Sequence, residues 1–301
     1  MEKYMGIDVG GTNVKIGIVD REGGMESKIK YPTADLKNGD DFVKGYIEIL
    51  EKEFAKHPEV KEVGIGIPGT MSVDRSKCLE IAAIPALDGV DLKPRLKARF
   101  PDKEFYIEND ANVAALGEYY FASTQMPENY LFVTLGTGIG SAAIIDHKIF
   151  IGGDGNGMEL GHILSRNGEE LEENIGKRGI MKRAHKLMKK KKSSLSKYEE
   201  FDPKIIIKEA QDGDKVSKKI YKEVGEYLGE ALVATIRLLD IKTILIGGGV
   251  AKSFDLIYDS LLKTLNKNLT PYYTKDIVIR RAELANDAGI IGAASLCFKD
   301  I

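Results

Sequence analysis

Cysteine is scarce in this chain. Its 301 residues include two, Cys78 and Cys297, and no CxxC pair. Two cysteines cannot build a disulfide framework, and the low number fits a reducing cytosol, so the protein is expected to be cytoplasmic. Net charge is equally small. Lys and Arg number 44 against 46 Asp and Glu, a formal charge of −2, so no strong field draws nucleic acid or an anionic membrane. No apolar run is long enough to span a bilayer, and Met1 leads straight into a strand pattern without signal-peptide character. None of the Gly-rich turns fits GxxxxGK[ST], and none has the GxGxxG spacing with its downstream acidic residue. The rest of the composition is ordinary for a globular protein, 43% hydrophobic and 30% charged. At this length the chain buries a substantial core and is expected to split into two domains.

The chain is organised around residues 130–162, YLFVTLGTGIGSAAIIDHKIFIGGDGNGMELGH. Leu131 to Val133 reads as a buried strand. Gly136, Thr137, Gly138 and Gly140 follow, and glycines let backbone N–H groups approach a phosphate without Cβ interference. Ala142 to Ile145 closes a hairpin, and Glu159 and His162 are polar groups able to grip a hydroxylated ligand. A shift of 126 positions lays Tyr4–Gly10 on Tyr130–Gly136 and Ile18–Asp20 on Ile144–Asp146. Repetition at so long a spacing points to duplicated lobes rather than a solenoid. Two facing phosphate hairpins would then hold a nucleotide in a cleft.

Strand patterns alternate with helical ones, which predicts an α/β protein. Strands are expected at Tyr4–Val9, Val14–Val19, near Ile29, Val63–Ile67, Phe105–Ile107, Thr243–Ile246 and Ile277–Arg280. Helices are expected at Asp40–Lys56, Val90–Phe100 with Asp91 as N-cap, Ala111–Phe121, Lys177–Lys192, Lys204–Ala210, Asp214–Leu239, Phe254–Leu265 and Ala288–Phe298. Lys189 to Lys192 reads as a solvated helix end rather than a polyanion site, because no aromatic residue interleaves the lysines.

Three turns follow apolar runs: DVGGT, LGTGIG and IGGGV. Together they point to a ligand with several phosphates, although three ordinary tight turns would look the same. Asp110 stands where a strand ends and a helix begins. A carboxylate there can take the proton of a hydroxyl that attacks a γ-phosphate, or serve as a helix N-cap. Asp8 is a candidate Mg²⁺ ligand, directly or through water, and the Thr12 and Thr137 hydroxyls are candidate phosphate donors.

These residues resemble the ROK family of sugar kinases and repressors, within the actin-like ATPase and sugar-kinase fold. The resemblance covers essentially the whole chain. DVGGTNVKIGIVD looks like the family's first phosphate motif, which implies nucleotide contacts at Asp8, Gly10, Gly11, Thr12, Asn13 and Lys15. LGTGIG adds Gly136, Thr137 and Gly138, and GGGVA, Gly247 to Ala251, resembles the adenosine motif with Gly248 and Gly249. GIGIPG ends in Gly69 on the sugar side. ENDAN, Glu108 to Asn112, implies Asp110 as general base and Asn109 as sugar ligand, and MELGH implies Glu159 and His162 on sugar hydroxyls. The final helix, opened by Asn286-Asp287-Ala288-Gly289, is expected to return to the first lobe. The resemblance implies a small lobe of 1–116 with 288–301, a large lobe of 117–287, and a homodimer through the large one. It implies ATP and Mg²⁺ as cofactors and a hexose as acceptor. Glucose at the 6-hydroxyl comes first; N-acetylmannosamine, N-acetylglucosamine and fructose are alternatives, as is a sugar sensor without turnover. Family repressors carry a helix-turn-helix ahead of the first motif, and the seven residues before Asp8 leave no room for one.

One segment departs from the family. Many members bind zinc with the signature His and three cysteines in CxCGxxGCxE. Here those cysteine positions hold Glu173, Ile175 and Ile180, and the final Glu falls on Lys182. Thiolates for a tetrahedral zinc are lacking, so no structural zinc is expected there. Another carboxylate, Glu172 or Glu173, is expected to stand in for the lost Glu, or the sugar preference differs. His162 is then a sugar ligand or a buried, hydrogen-bonded histidine.

Overall fold

Paired apolar strands open the chain. The structure, a computed structural model, describes residues 2–36, 41–249 and 253–298. Strands β1 (Lys3–Val9), β2 (Asn13–Asp20) and β3 (Met25–Pro32) form an antiparallel meander, followed by α1 (Phe42–Lys56), β4 (Glu62–Ile67), a short hairpin of β5 (Thr70–Met71) and β6 (Cys78–Glu80), α2 (Leu92–Arg99), β7 (Glu104–Asn109) and α3 (Asp110–Phe121). Then come β8 (Tyr130–Leu135), β9 (Ile139–Ile145), β10 (Lys148–Ile149), α4 (Leu171–Ile175), α5 (Lys177–Met188), α6 (Pro203–Gln211) and α7 (Lys215–Leu239). The chain continues with β11 (Thr243–Gly247), α8 (Phe254–Asn268), α9 (Pro271–Thr274), β12 (Val278–Arg281) and α10 (Ala288–Ser295).

The first sheet runs β3-β2-β1-β4-β7 and the second β10-β9-β8-β11-β12. In the first, β1 is antiparallel to β2 and parallel to β4, and β4 is parallel to β7. In the second, β10 is antiparallel to β9, and β11 is parallel to both β8 and β12. The two orders correspond strand for strand, and the shift that carries Tyr4 onto Tyr130 carries β2 onto β9. A repeat faint in sequence is thus explicit in topology.

The chain divides into two compact units, Met1–Glu128 with Ala142–Met158 and Asn286–Ile301, and Asn129–Ser141 with Glu159–Ala285. In the first unit the inner strands turn Met5, Ile7, Val63, Ile65 and Ile67, all fully buried, to one face of the sheet. Helices cover both faces, which is why these strands read as continuous apolar runs; the edge strand β3 alternates half-buried with exposed. On one face Phe42, Tyr46 and Leu50 of α1 join the core. On the other, α10 lies directly on the backbone. A Cβ at Gly64 would stand 1.6 Å from the Ala293 carbonyl oxygen, and one at Gly6 2.0 Å from that of Ile290. Only glycine permits that approach. The last helix does return to the first unit. In the second unit α8 packs along the 25-residue α7.

Several boundaries differ from expectation. The first helix begins at Phe42, capped by the Asp41 carboxylate on Lys44 N–H (3.2 Å), and Asp40 lies outside the described residues. Asp91 occupies the cap position of α2 but makes no side-chain cap bond. The basic helix α5 stops at Met188, four residues early, where the N–H groups of Lys190 and Lys191 both turn back to the Leu187 carbonyl. Adjacent like charges with no carboxylate among them give the helix no reason to continue. The last helix ends at Ser295 rather than Phe298, with i→i−3 bonds closing the final turn. Among the described residues no helix is long and apolar enough to cross a membrane.

Candidate active site

In the first unit the β1–β2 turn is closed by Gly10 N–H on the Asn13 carbonyl at 2.9 Å. Buried Thr33 pins it from behind, donating its hydroxyl to Gly10 O (2.6 Å) and its N–H to Thr12 O (2.9 Å). Gly11 and Thr12 stay exposed at the tip. Asp8 and Lys15 face each other across the hairpin, Nζ to Oδ2 2.6 Å. Gly289 opens α10 against Asp8, since a Cβ there would stand 2.9 Å from the Asp8 Cγ.

The strand-to-helix junction β7–α3 gathers a second group. Asn109, not Asp110, is the N-cap of α3: its Oδ1 accepts from Ala111 N (2.9 Å) and Asn112 N (3.3 Å). Its Nδ2 donates to Gly69 O at 3.2 Å, so Gly69, Asn109 and Asp110 come together. The Asp110 Oδ1 also accepts from Ala111 N at 2.8 Å. Two N–H groups of a helix start therefore serve this pair, and the positive end of the helix favours their anionic oxygen. Beneath them sits Glu108, 7% exposed, whose carboxylate accepts from Asn109 N (2.7 Å), Asn112 Nδ2 (3.0 Å) and Arg75 Nε (2.8 Å). Arg75 and this use of Glu108 escaped the sequence reading; 33 positions separate them, and no pattern links the two.

The second unit repeats the turn. Gly136 N–H closes it on Gly138 O at 2.9 Å, leaving Thr137 exposed. Gly248 packs on the end of the neighbouring strand β8: a Cβ there would meet Leu135 O at 2.5 Å. Gly249 is exposed, and Val250 and Ala251 of the same motif lie outside the described residues. Ile139, just past the turn, anchors two further pieces. Its N–H donates to Glu172 Oε2 at 2.8 Å, and its carbonyl backs on Gly161, where a Cβ would approach to 2.5 Å. Two residues on, Ser141 Oγ accepts from Leu160 N at 3.1 Å. Glu159 is half-buried, and burial raises its pKa, with His162 and Glu172 close enough to act on it electrostatically.

His162 is 60% exposed, with Nδ1 2.9 Å from Glu170 Oε2, so it is not the buried histidine that was one of its two expected roles. The hydrogen bond to Glu170 leads the effects that raise its pKa. Lys182 points elsewhere and pairs with Glu169 at 2.9 Å. Of the two carboxylates considered as replacements, Glu172 lies beside Glu159 and His162. Glu173 lines a separate cavity of about 340 Å³ with Arg166, Lys182, Arg183, Glu223 and Tyr227, which includes none of the expected site residues. Ile175 and Ile180, at two positions where the expected zinc motif calls for cysteine, are buried. Among the described residues no three His, Cys, Asp or Glu side chains gather as a metal site.

Duplicated sheets, a Gly turn after the first strand of each, and an Asn-Asp pair opening a helix define a protein of the actin-like ATPase and sugar-kinase fold. The chain belongs to the ROK family, whose model matches residues 4–300. It is similar to the glucokinase of Thermotoga maritima, 28% identical over a 310-position alignment that covers 98% of this chain and 96% of the relative. A crystallised protein of Cytophaga hutchinsonii is 40% identical, with a TM-score of 0.91 over 98% of this chain and 99% of that one. The ROK glucokinase of Streptomyces griseus, solved with glucose and AMPPNP, is 28% identical, with a TM-score of 0.81 over 98% of both chains.

Proposed function

We propose that this protein transfers the γ-phosphate of ATP to a hexose, glucose at its 6-hydroxyl, with Asp110 as general base. As an enzyme it is an ATP-dependent sugar kinase. The observation that carries the finer reading is the junction at α3, where Asn109 is tied to Gly69 and to the helix amides beside the Asp110 carboxylate. Asp110 takes the proton of the sugar hydroxyl as its oxygen bonds to the γ-phosphorus; the bond to the β-phosphate oxygen breaks and ADP leaves. Asn109, Gly69, Glu159 and His162 orient the ring, and Glu172 takes the place of the Glu that falls on Lys182. The turns at Gly10–Asn13 and Gly136–Gly138 carry the phosphates, with Thr12, Lys15 and Thr137, and Gly248 and Gly249 lie on the adenosine side.

Magnesium takes one or two carboxylates and keeps several waters, so the partly exposed Asp8 carboxylate is a donor of the right kind. When bound with the nucleotide, the ion neutralises charge on the β- and γ-phosphates. Lys15 holds the Asp8 carboxylate in place. The same reading takes the protein as a cytoplasmic homodimer without nucleic-acid or membrane partners.

The test is ADP release with Mg-ATP against a panel of glucose, fructose, N-acetylglucosamine and N-acetylmannosamine, with and without a zinc chelator. Turnover with glucose above the others, indifferent to the chelator, is expected. Sugar binding by calorimetry without turnover on any member would replace the kinase reading with a sensor.

A further inference from the structure

The hairpin of β5 and β6 carries an arginine aimed inward at the base motif. Its turn is built for that aim. The Asp74 carboxylate accepts from Ser72 Oγ (2.6 Å), Ser76 N (3.1 Å) and Ser76 Oγ (2.8 Å), and Arg75 N–H closes on Ser72 O at 2.9 Å. Arg75 sits at φ 58°, a left-handed conformation that is strained for a non-glycine residue. The side chain is only 13% exposed, and its Nε meets Glu108 Oε2 at 2.8 Å. The guanidinium is not used as a two-pronged clamp, and its buried Nη2 has no hydrogen-bond partner among the described residues. A strained backbone and an unsatisfied nitrogen are a poor design for stability alone.

Glu108 explains the aim. It immediately precedes Asn109 and Asp110, and its other oxygen holds Asn109 N–H and the Asn112 amide. A buried carboxylate with no cation beside it is costly, so it either draws in water or shifts toward solvent. Both responses would loosen its grip on the first turn of α3. We propose that Arg75 is a positioning residue: by pairing with Glu108 it keeps that carboxylate fixed, and Glu108 in turn fixes Asn109 and the N-terminal turn that carries Asp110. This rests on the reading of Asp110 as base.

The experiment compares Arg75→Met, Arg75→Lys, the double variant Arg75→Met/Glu108→Gln, and Arg99→Met as a surface control. Arg99 pairs with Glu51 on the exterior, and both are well exposed. Each variant is assayed for phosphoryl transfer to the sugar that the wild type turns over best, and by hydrogen exchange of the peptide 104–116. Arg75→Met is expected to lose at least tenfold in kcat while KM for ATP stays within twofold, and the amides of residues 109–112 are expected to exchange at least tenfold faster without a matching rise elsewhere. Arg75→Lys should recover most of the loss. The double variant should recover part of it, because a glutamine in place of Glu108 retains an acceptor without a buried charge. Unchanged kcat in Arg75→Met, or exchange raised evenly along the chain, would overturn the inference and leave Arg75 a structural residue. If the wild type phosphorylates no sugar, the kinase reading fails; exchange at 109–112 still decides whether Arg75 holds the turn.

Discussion

Replacing Glu172 should loosen the second phosphate turn, and its consequence can be worked from the coordinates. The carboxylate accepts the Ile139 N–H at 2.8 Å and lies over Gly138, where a Cβ would come within 2.2 Å of it. Ile139 is 6% exposed. Truncation to Ala therefore strands a buried donor and removes a charge-assisted bond, about 2 kcal/mol together. In a domain of this size that corresponds to a fall in Tm of roughly 4–8 °C. Glu172→Gln keeps an acceptor and should lose about half as much. Because the turn carries phosphates in the proposed reading, Ala should also raise KM for ATP several-fold, whereas Gln should act mainly on KM for the sugar through the lost charge beside Glu159 and His162. Thermal melting followed by steady-state kinetics with each substrate varied in turn is the assay. A Glu172→Ala protein with unchanged Tm and unchanged KM for ATP would refute the reasoning, since the bond to Ile139 would then hold nothing.

Two further outcomes are expected. Gly64→Ala places a methyl 1.6 Å from a backbone oxygen of α10, so the helix must move off β4, at a cost of about 1–3 kcal/mol; urea unfolding should show it, and an unchanged midpoint would mean that α10 is not seated as described. The folded pKa of His162 is raised chiefly by its hydrogen bond to Glu170, so its stabilising effect is complete below the unfolded value near 6.5 and fades as pH rises through the higher folded value. The Tm difference between wild type and His162→Gln should accordingly be larger at pH 6 than at pH 8.5, and a flat or reversed trend would discount the pair.

What could be read from sequence here follows the range of the interactions. The Gly turns, the junction at Asn109–Asp110 and the alternation of strand and helix are local patterns, and the structure places them where the spacing indicates. The repeat was legible because the offset that joins Tyr4 to Tyr130 preserves strand, turn and strand together. The cap of α3 was harder: Asn109 and Asp110 are both good capping residues, and only the backbone decides that Asn109 is the cap and Asp110 the first helical residue. Strands of two or three residues, such as β5, β6 and β10, leave no period to detect. The pairs Arg75–Glu108 and Glu172–Ile139 depend on tertiary approach, with no local pattern to mark them. Glu172 could be named beforehand because the missing family Glu demanded a substitute; nothing demanded Arg75.

The central claim is that Asp110 removes the proton of the sugar hydroxyl, and an Asp110→Asn variant tests it most directly. Calorimetry of sugar binding, paired with phosphoryl transfer from Mg-ATP, gives both halves of the answer on one protein. Sugar affinity close to wild type with turnover reduced by about 10²–10⁴, the usual contribution of a general base, is the predicted result. Sugar binding with unimpaired turnover would contradict it and remove Asp110 from the role.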